Sequence, residues 1–354
     1  MRHVVLLLCL LFAVVVRADE ALLDVGVVLF DSGIPEDESL HSELNVFPRI
    51  REAEAQYLPV TLRRELEDSG QWGVVRVVPE PGPLSELTVQ GLIVESNGLR
   101  QRIHFNVVDA VGRVWIDQIY SLQRAQTAVP QAGEPFAGLY RRLAADMLAY
   151  RQQLDGRSLR QIRGVALMRY AQSLSPEAFA DYLTVDEQGI YRLLRLPATG
   201  DPMMKRVERI RNQEYLFIDN VDEQFGELHD EMASTYSLWL QYDQEQSLFQ
   251  EGFEERAASR ERHGKSGSFS AMQQTYFAYR NFRIQEQDLD DLALGFNNEV
   301  EPTIVETSGQ VFKLTGTLDS QYAEWRNILR QIFAIETGLP VNTPADDGFS
   351  ESAQ

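Results

Sequence analysis

Few residues in this chain are typed and spaced for chemistry. In VVDAVGRVW, Val107 to Trp115, Asp109 has no histidine, serine or second carboxylate placed to work with it. Asp109 and Gly112 suit a tight turn instead, the Asp by bonding nearby amides and the Gly by admitting positive φ. GELHDEM sets His229 among Glu227, Asp230 and Glu231. On a helix Glu223, Glu227 and Asp230 share a side, the layout of a weak metal site. One histidine does not make a zinc centre, however, and a solvated helix face is the expectation. QEQDLDDLALGFNNE lacks the alternating oxygen ligands and central glycine of a calcium loop. Gly264-Lys265-Ser266 ends like a phosphate loop, but Ser259 stands where its first glycine belongs. His41, His104, His229 and His263 fall in different segments, and there is no Gly-x-Ser-x-Gly elbow. The sequence therefore predicts no catalytic residue, no cofactor and no metal site. Its candidate functional residues are partner contacts: Trp239 and Tyr242 on a long helix and Trp325 on the last one.

The elements that carry these residues predict an α+β protein. Residues 19–154 read as an α/β sandwich-type domain with the order β, α, β, β, β, β, α. Val25 to Phe30 is a buried strand, and Tyr57, Leu58, Leu62 and Leu66 recur at helical spacing. Pro59 starts a second helical segment in this reading. Asn97-Gly98 marks a hairpin, Ile103, Phe105 and Val107 share one strand face, and Val114, Ile116 and Tyr120 face the core. A helix from Pro135 to Leu154 closes the domain. Asp155-Gly156-Arg157 is a hinge, and residues 155–200 are short helices and connector. Residues 201–299 read as a long antiparallel helical hairpin. Its first arm has a seam through Val221, Phe225, Leu228, Met232, Thr235, Trp239 and Tyr242, with a bend expected near Gly226 or Gly252. Residues 300–340 are a ββα unit with Tyr322, Trp325, Leu329 and Phe333 on one helix side, and 341–354 a disordered tail.

VGVVLFDSG, YLPVTLRRELEDSGQWGVVRVVP, the VVDAVGRVW hairpin and LYRRLAADML together resemble a group of bacterial envelope domains. The group includes the N-terminal domain of TolB, the curli secretion lipoprotein CsgG, the LpoB activators of penicillin-binding proteins, and auxiliary lipoproteins of ABC transport systems. The resemblance covers roughly Asp24 to Leu154 and implies a docking or adaptor domain without catalytic residues. GQVFKLTG and the helix after it are similar to part of a BON module, a small envelope domain.

MRHVVLLLCLLFAVVVRADE reads as a cleaved signal peptide, residues 1–18, with an apolar run too short to span a bilayer. Cys9 lies inside that run after Leu8, so the reading is a periplasmic protein that is not a lipoprotein. The mature chain would carry 31 Lys and Arg against 53 Asp and Glu, a formal −22, with no cysteine, no nucleic-acid surface and no transmembrane segment. The function expected is a non-catalytic periplasmic adaptor or scaffold of an envelope complex for transport, secretion or wall assembly. It would contact an envelope protein, or a second copy through the helical hairpin. The alternatives are a carboxylate-based envelope hydrolase and a small-ligand or lipid-binding protein.

Overall fold

A computed structural model describes residues 22–43, 46–124, 134–260, 303–307, 310–314 and 318–339. The expected leader, the return arm of the hairpin and the C-terminal tail lie outside these residues. The fold is α+β. β1 (Val25–Val28), α1 (Ser39–Glu43), α2 (Pro48–Asp68), β2 (Val75–Val78), β3 (Leu87–Ser96), β4 (Arg100–Asp109), β5 (Val114–Gln123) and α3 (Ala137–Gln152) come first. They build one sheet in the order β2-β1-β3-β4-β5, with β1 parallel to β2 and β3, and β3 to β5 an antiparallel meander. α2 and α3 lie side by side on one sheet face, over a core that includes Val27, Val89, Ile103, Phe105 and Val107.

Two details depart from the sequence reading. α2 does not restart at Pro59 but runs through it. Proline has no N–H for the carbonyl four residues back. That carbonyl, Ala55, accepts the N–H of Phe30 at 2.9 Å instead, tying the end of β1 to the helix. In β5 the partner of Val108 is Val114 and that of Val107 is Ile116, so Trp115 is an extra residue. This bulge turns Val114 outward while Trp115, Ile116 and Tyr120 stay buried. Asp109 explains the bulge. Buried, it accepts from the amides of Val111 and Arg113, from Arg113 Nε and from Trp115 Nε1. Gly112 takes φ +98°, as the turn requires. Asp109 thus commits its acceptors to the turn.

α4 (Gly156–Leu174) follows α3 after a three-residue connection, capped by Asp155, whose carboxylate accepts from the Ser158 amide at 2.7 Å. α5 (Pro176–Phe179), β6 (Leu183–Val185) and β7 (Tyr191–Leu193) lead to α6 (Pro202–Arg260), a continuous helix of 59 residues through both glycines, about 88 Å at 1.5 Å per residue. β8 (Thr303–Thr307) and β9 (Gln310–Leu314) precede α7 (Leu318–Thr337), whose Tyr322, Trp325, Leu329 and Phe333 are all buried as expected. One hydrophobic core joins these parts from Leu23 to Phe333.

α6 is packed by this chain itself. It crosses the β2 edge of the sheet, where Asp219 pairs with Arg76 at 2.6 Å and Asp222 accepts from the Val77 amide. It then runs antiparallel to α2, from the Arg63–Asp222 pair to the Phe47–Trp239 ring contact. Further along it meets the Asn97-Gly98 turn, whose Gly98 N–H donates to Asp243 at 2.6 Å. Gly98 has no positive φ. It is needed because a Cβ there would overlap the Leu240 carbonyl and stand 2.8 Å from Gln244 Cα. Gly98→Ala should therefore destabilise the protein by about 1–3 kcal/mol, the usual cost of overpacking. Gly82→Ala, where a Cβ meets nothing within 4 Å, should stay within about 0.5 kcal/mol. Equilibrium urea unfolding of both variants checks the contrast.

Candidate functional site

Two surfaces could act. The first is the sheet face opposite α2 and α3. Alternation along β3 to β5 points every second side chain away from the core. The register sets Leu92, His104 and Ile119 in one cross-strand row. On this side Leu92, Val94, Ile119 and Val114 are 36%, 39%, 48% and 52% exposed. Charged groups stand among them: His104 bonds Asp117 at 2.7 Å, and Arg100 and Arg102 each lie 3.6 Å from Glu95. Apolar centres with charged neighbours are the usual make-up of a protein contact surface.

The second is a cleft of about 470 Å³ over α2, between α6 and the chain entering α3. Tyr57, Thr61, Arg64, Glu65 and Asp68 line it from α2 at i, i+4, i+7, i+8 and i+11, a single helical stripe. His229, Ser234 and Ser237 line it from α6, and Glu134 and Pro135 from the entry to α3. His229 is 6% exposed. Its ring stacks on Tyr57 with centroids 4.0 Å apart, and its Nε2 lies 3.1 Å from Thr61 Oγ1. Burial, with Arg64 nearby adding to it, pushes His229 down to about 4. Burial pushes Glu134 up to about 7, against the hydrogen bond it accepts from Tyr57.

Thr61, His229 and Asp230 form a hydroxyl–imidazole–carboxylate line, but each member is engaged otherwise. Thr61 donates back to the Tyr57 carbonyl in its own helix, and Asp230 pairs with Arg64 at 2.6 Å. The His229 Nδ1 to Asp230 distance is 3.6 Å, beyond a hydrogen bond. An imidazole of such low proton affinity is a poor base for a hydroxyl.

The structure buries two of the three residues read as partner contacts. Trp239, 2% exposed, packs between Phe47 and Tyr236, and Trp325, fully enclosed, between Phe217 and Phe312. Both are core residues, because α6 and α7 turn their aromatic sides inward on the chain. The Tyr242 side chain lies outside the described residues. Glu223, Glu227 and Asp230 do not converge: the first two are exposed and Asp230 is paired with Arg64. Among the described residues no group of three potential ligands is placed for a metal, and no helix is long and apolar enough to cross a membrane.

The sequence reading missed the polar row of α6. Asp222, His229, Tyr236 and Asp243 recur every seven residues and all are buried. Val221, Phe225, Met232 and Trp239 of the expected seam are buried too, but Leu228 and Thr235 are only partly covered, and His229 and Tyr236 beside them take the buried places. The seven-residue repeat of polar types was the signal available.

Comparison with protein families finds no match, and comparison with curated proteins finds none. Among solved structures, a dodecameric PelC variant from Paraburkholderia phytofirmans is similar over 37% of this chain and 90% of that one, at 15% identity and a TM-score of 0.21. A likeness at that score carries no weight for fold or function.

The buried groups make stability depend on pH. Asp222 and Asp243 are each pushed up to about 6 from 3.8, and Glu134 to about 7 from 4.5, by burial first in each case. Each therefore favours the folded state most below its unfolded value near 4, and that contribution is lost as pH rises from there to the folded value of 6 or 7. His229 works oppositely: its contribution is complete above its unfolded value of 6.5 and lost as pH falls toward 4. Three groups outweigh one, so Tm should fall as pH rises from 5 to 8. The slope should be shallower in Asp243→Asn and steeper in His229→Gln, measured by thermal unfolding across that range.

Proposed function

We propose that this protein is a non-catalytic adaptor or scaffold of a bacterial cell-envelope complex, working in the periplasm, and that it docks through the open face of β3, β4 and β5. The single observation that carries the reading is the exposure of Leu92, Val94, Val114 and Ile119 together on that face, while Phe225, Met232 and Trp239 of α6 and Trp325, Leu329 and Phe333 of α7 are buried within the chain. The location rests on the leader-like N-terminus and on the resemblance of residues 24–154 to envelope docking domains. The face also says what it fits. Arg100 and Arg102 are more than a third exposed and share one carboxylate, Glu95. A partner surface with an apolar centre and carboxylates opposite these two arginines is the complement.

Photo-crosslinking in intact cells from position 119 tests the proposal. The expected result is a crosslink to one envelope assembly, lost when Leu92→Glu and Val94→Glu are introduced together. Both positions are exposed, so the Tm should hold, as surface changes cost within about 0.5 kcal/mol each. Self-crosslinks alone, or partner crosslinks that persist in the double variant, would overturn it.

A further inference from the structure

We propose that the cleft between α2, α6 and the entry to α3 binds a small organic amine. Its volume of about 470 Å³ is that of a small-molecule site. Two polar atoms in its wall have no hydrogen-bond partner: Glu134 Oε1 and Nδ1 of His229, itself more than nine-tenths buried. Buried polar atoms are nearly always satisfied, and an orphan asks for a ligand or water. Two in one cleft, of types that accept hydrogen bonds from N–H donors, ask for a donor-rich ligand. The tautomer that directs Nε2–H to Thr61 leaves Nδ1 as an acceptor.

The charge around the cleft selects a cation. Glu65, Asp68 and Glu134 line it against one arginine, Arg64, whose guanidinium is already engaged by Asp230 and the Gly226 carbonyl. Burial raises the carboxyls of both Glu134 and Glu65, and neither Arg124 near the first nor Arg141, 4.0 Å from the second, offsets it. Each carboxyl therefore has room for a closer positive charge that would hold it ionised. The absence among the described residues of a three-ligand group favours an ammonium over a metal ion, and Ser234 and Ser237 add hydroxyls along the α6 wall. The titratable and charged groups facing Glu134 are Tyr57 and Glu54 from α2, Arg124 after β5, Tyr140 from α3 and Tyr236 from α6. Arg124 is the one cation in this set and the weakest influence on Glu134.

Bound ammonium must meet an ionised Glu134, so binding expels its proton. Affinity should then rise about tenfold from pH 6 to pH 8, as a group titrating near 7 requires. The test is calorimetric titration of the full chain with butane-1,4-diamine at both pH values, with butane-1,4-diol as the uncharged match. The expected result is saturable one-to-one binding of the diamine, tighter at pH 8, none of the diol, and at least tenfold weakening in Glu134→Gln. Ser234→Trp starts from an exposed position, fills the cleft and should abolish binding with Tm unchanged, so a folding defect is not mistaken for a lost site. No diamine binding at millimolar concentration, equal binding of the diol, or unchanged binding in both variants would overturn the proposal. The adaptor reading concerns the opposite sheet face and stands or falls separately.

Discussion

The rest of the structure depends on the contact between α6 and α2 along a row of buried polar side chains. Asp222 takes the free amide of the edge strand β2 and the Arg63 guanidinium. One heptad on, His229 stacks on Tyr57 and meets Thr61. The next, Tyr236, donates to Glu54, which also accepts from Ser96, at the end of β3. The last, Asp243, holds the turn between β3 and β4. Burying such groups costs free energy unless each finds a partner, and partners from α2, β2 and the hairpin exist in one alignment only. The row fixes register, whereas the apolar residues beside it supply burial. It also blunts the β2 edge, which would otherwise offer unpaired amides.

The same logic recurs at the other end of α6. Glu214 is buried and accepts from Tyr170 of α4 and Tyr322 of α7, with Arg326 3.6 Å away. Phe217 stacks on Tyr322 and Trp325. The hairpin turn at Asp109 docks here too, through Ala110, whose carbonyl accepts from Arg169, and Val111, whose carbonyl accepts from the Tyr191 amide. α6 is thus a spine to which the sheet, the helices and the C-terminal unit are attached. With Phe217, Phe225, Met232 and Trp239 of α6 buried within the chain, the proposed docking face is the sheet, where Leu92, Val94, Val114 and Ile119 stand exposed together.

Much of the fold was legible. Alternation in β4 assigned Ile103, Phe105 and Val107 to the core, and helical spacing found α2 and α7. What escaped were positions whose physics is not local. Pro59 looks like a helix start until Phe30 is seen to need the Ala55 carbonyl. Gly98 looks like a turn glycine, yet it is there for the close approach of α6. Val114 follows strand alternation only if the Trp115 bulge is unknown. The cleft was invisible because Tyr57, Glu134 and His229 are far apart in sequence. Trp239 and Trp325 were read as contact residues because a hydrophobic pattern says that a side chain will be covered, not by whom.

The central claim is that α6 belongs to the same cooperative unit as the sheet, held by its polar row. Native-state hydrogen exchange of the whole chain tests it directly. Amides of α6 between Glu214 and Leu240 should open with the same free energy as those of Ile103, Phe105 and Val107 in β4, that of global unfolding. Exchange of the α6 amides orders of magnitude faster than the β4 amides would show the helix to be a separate, weakly attached arm and would contradict the account.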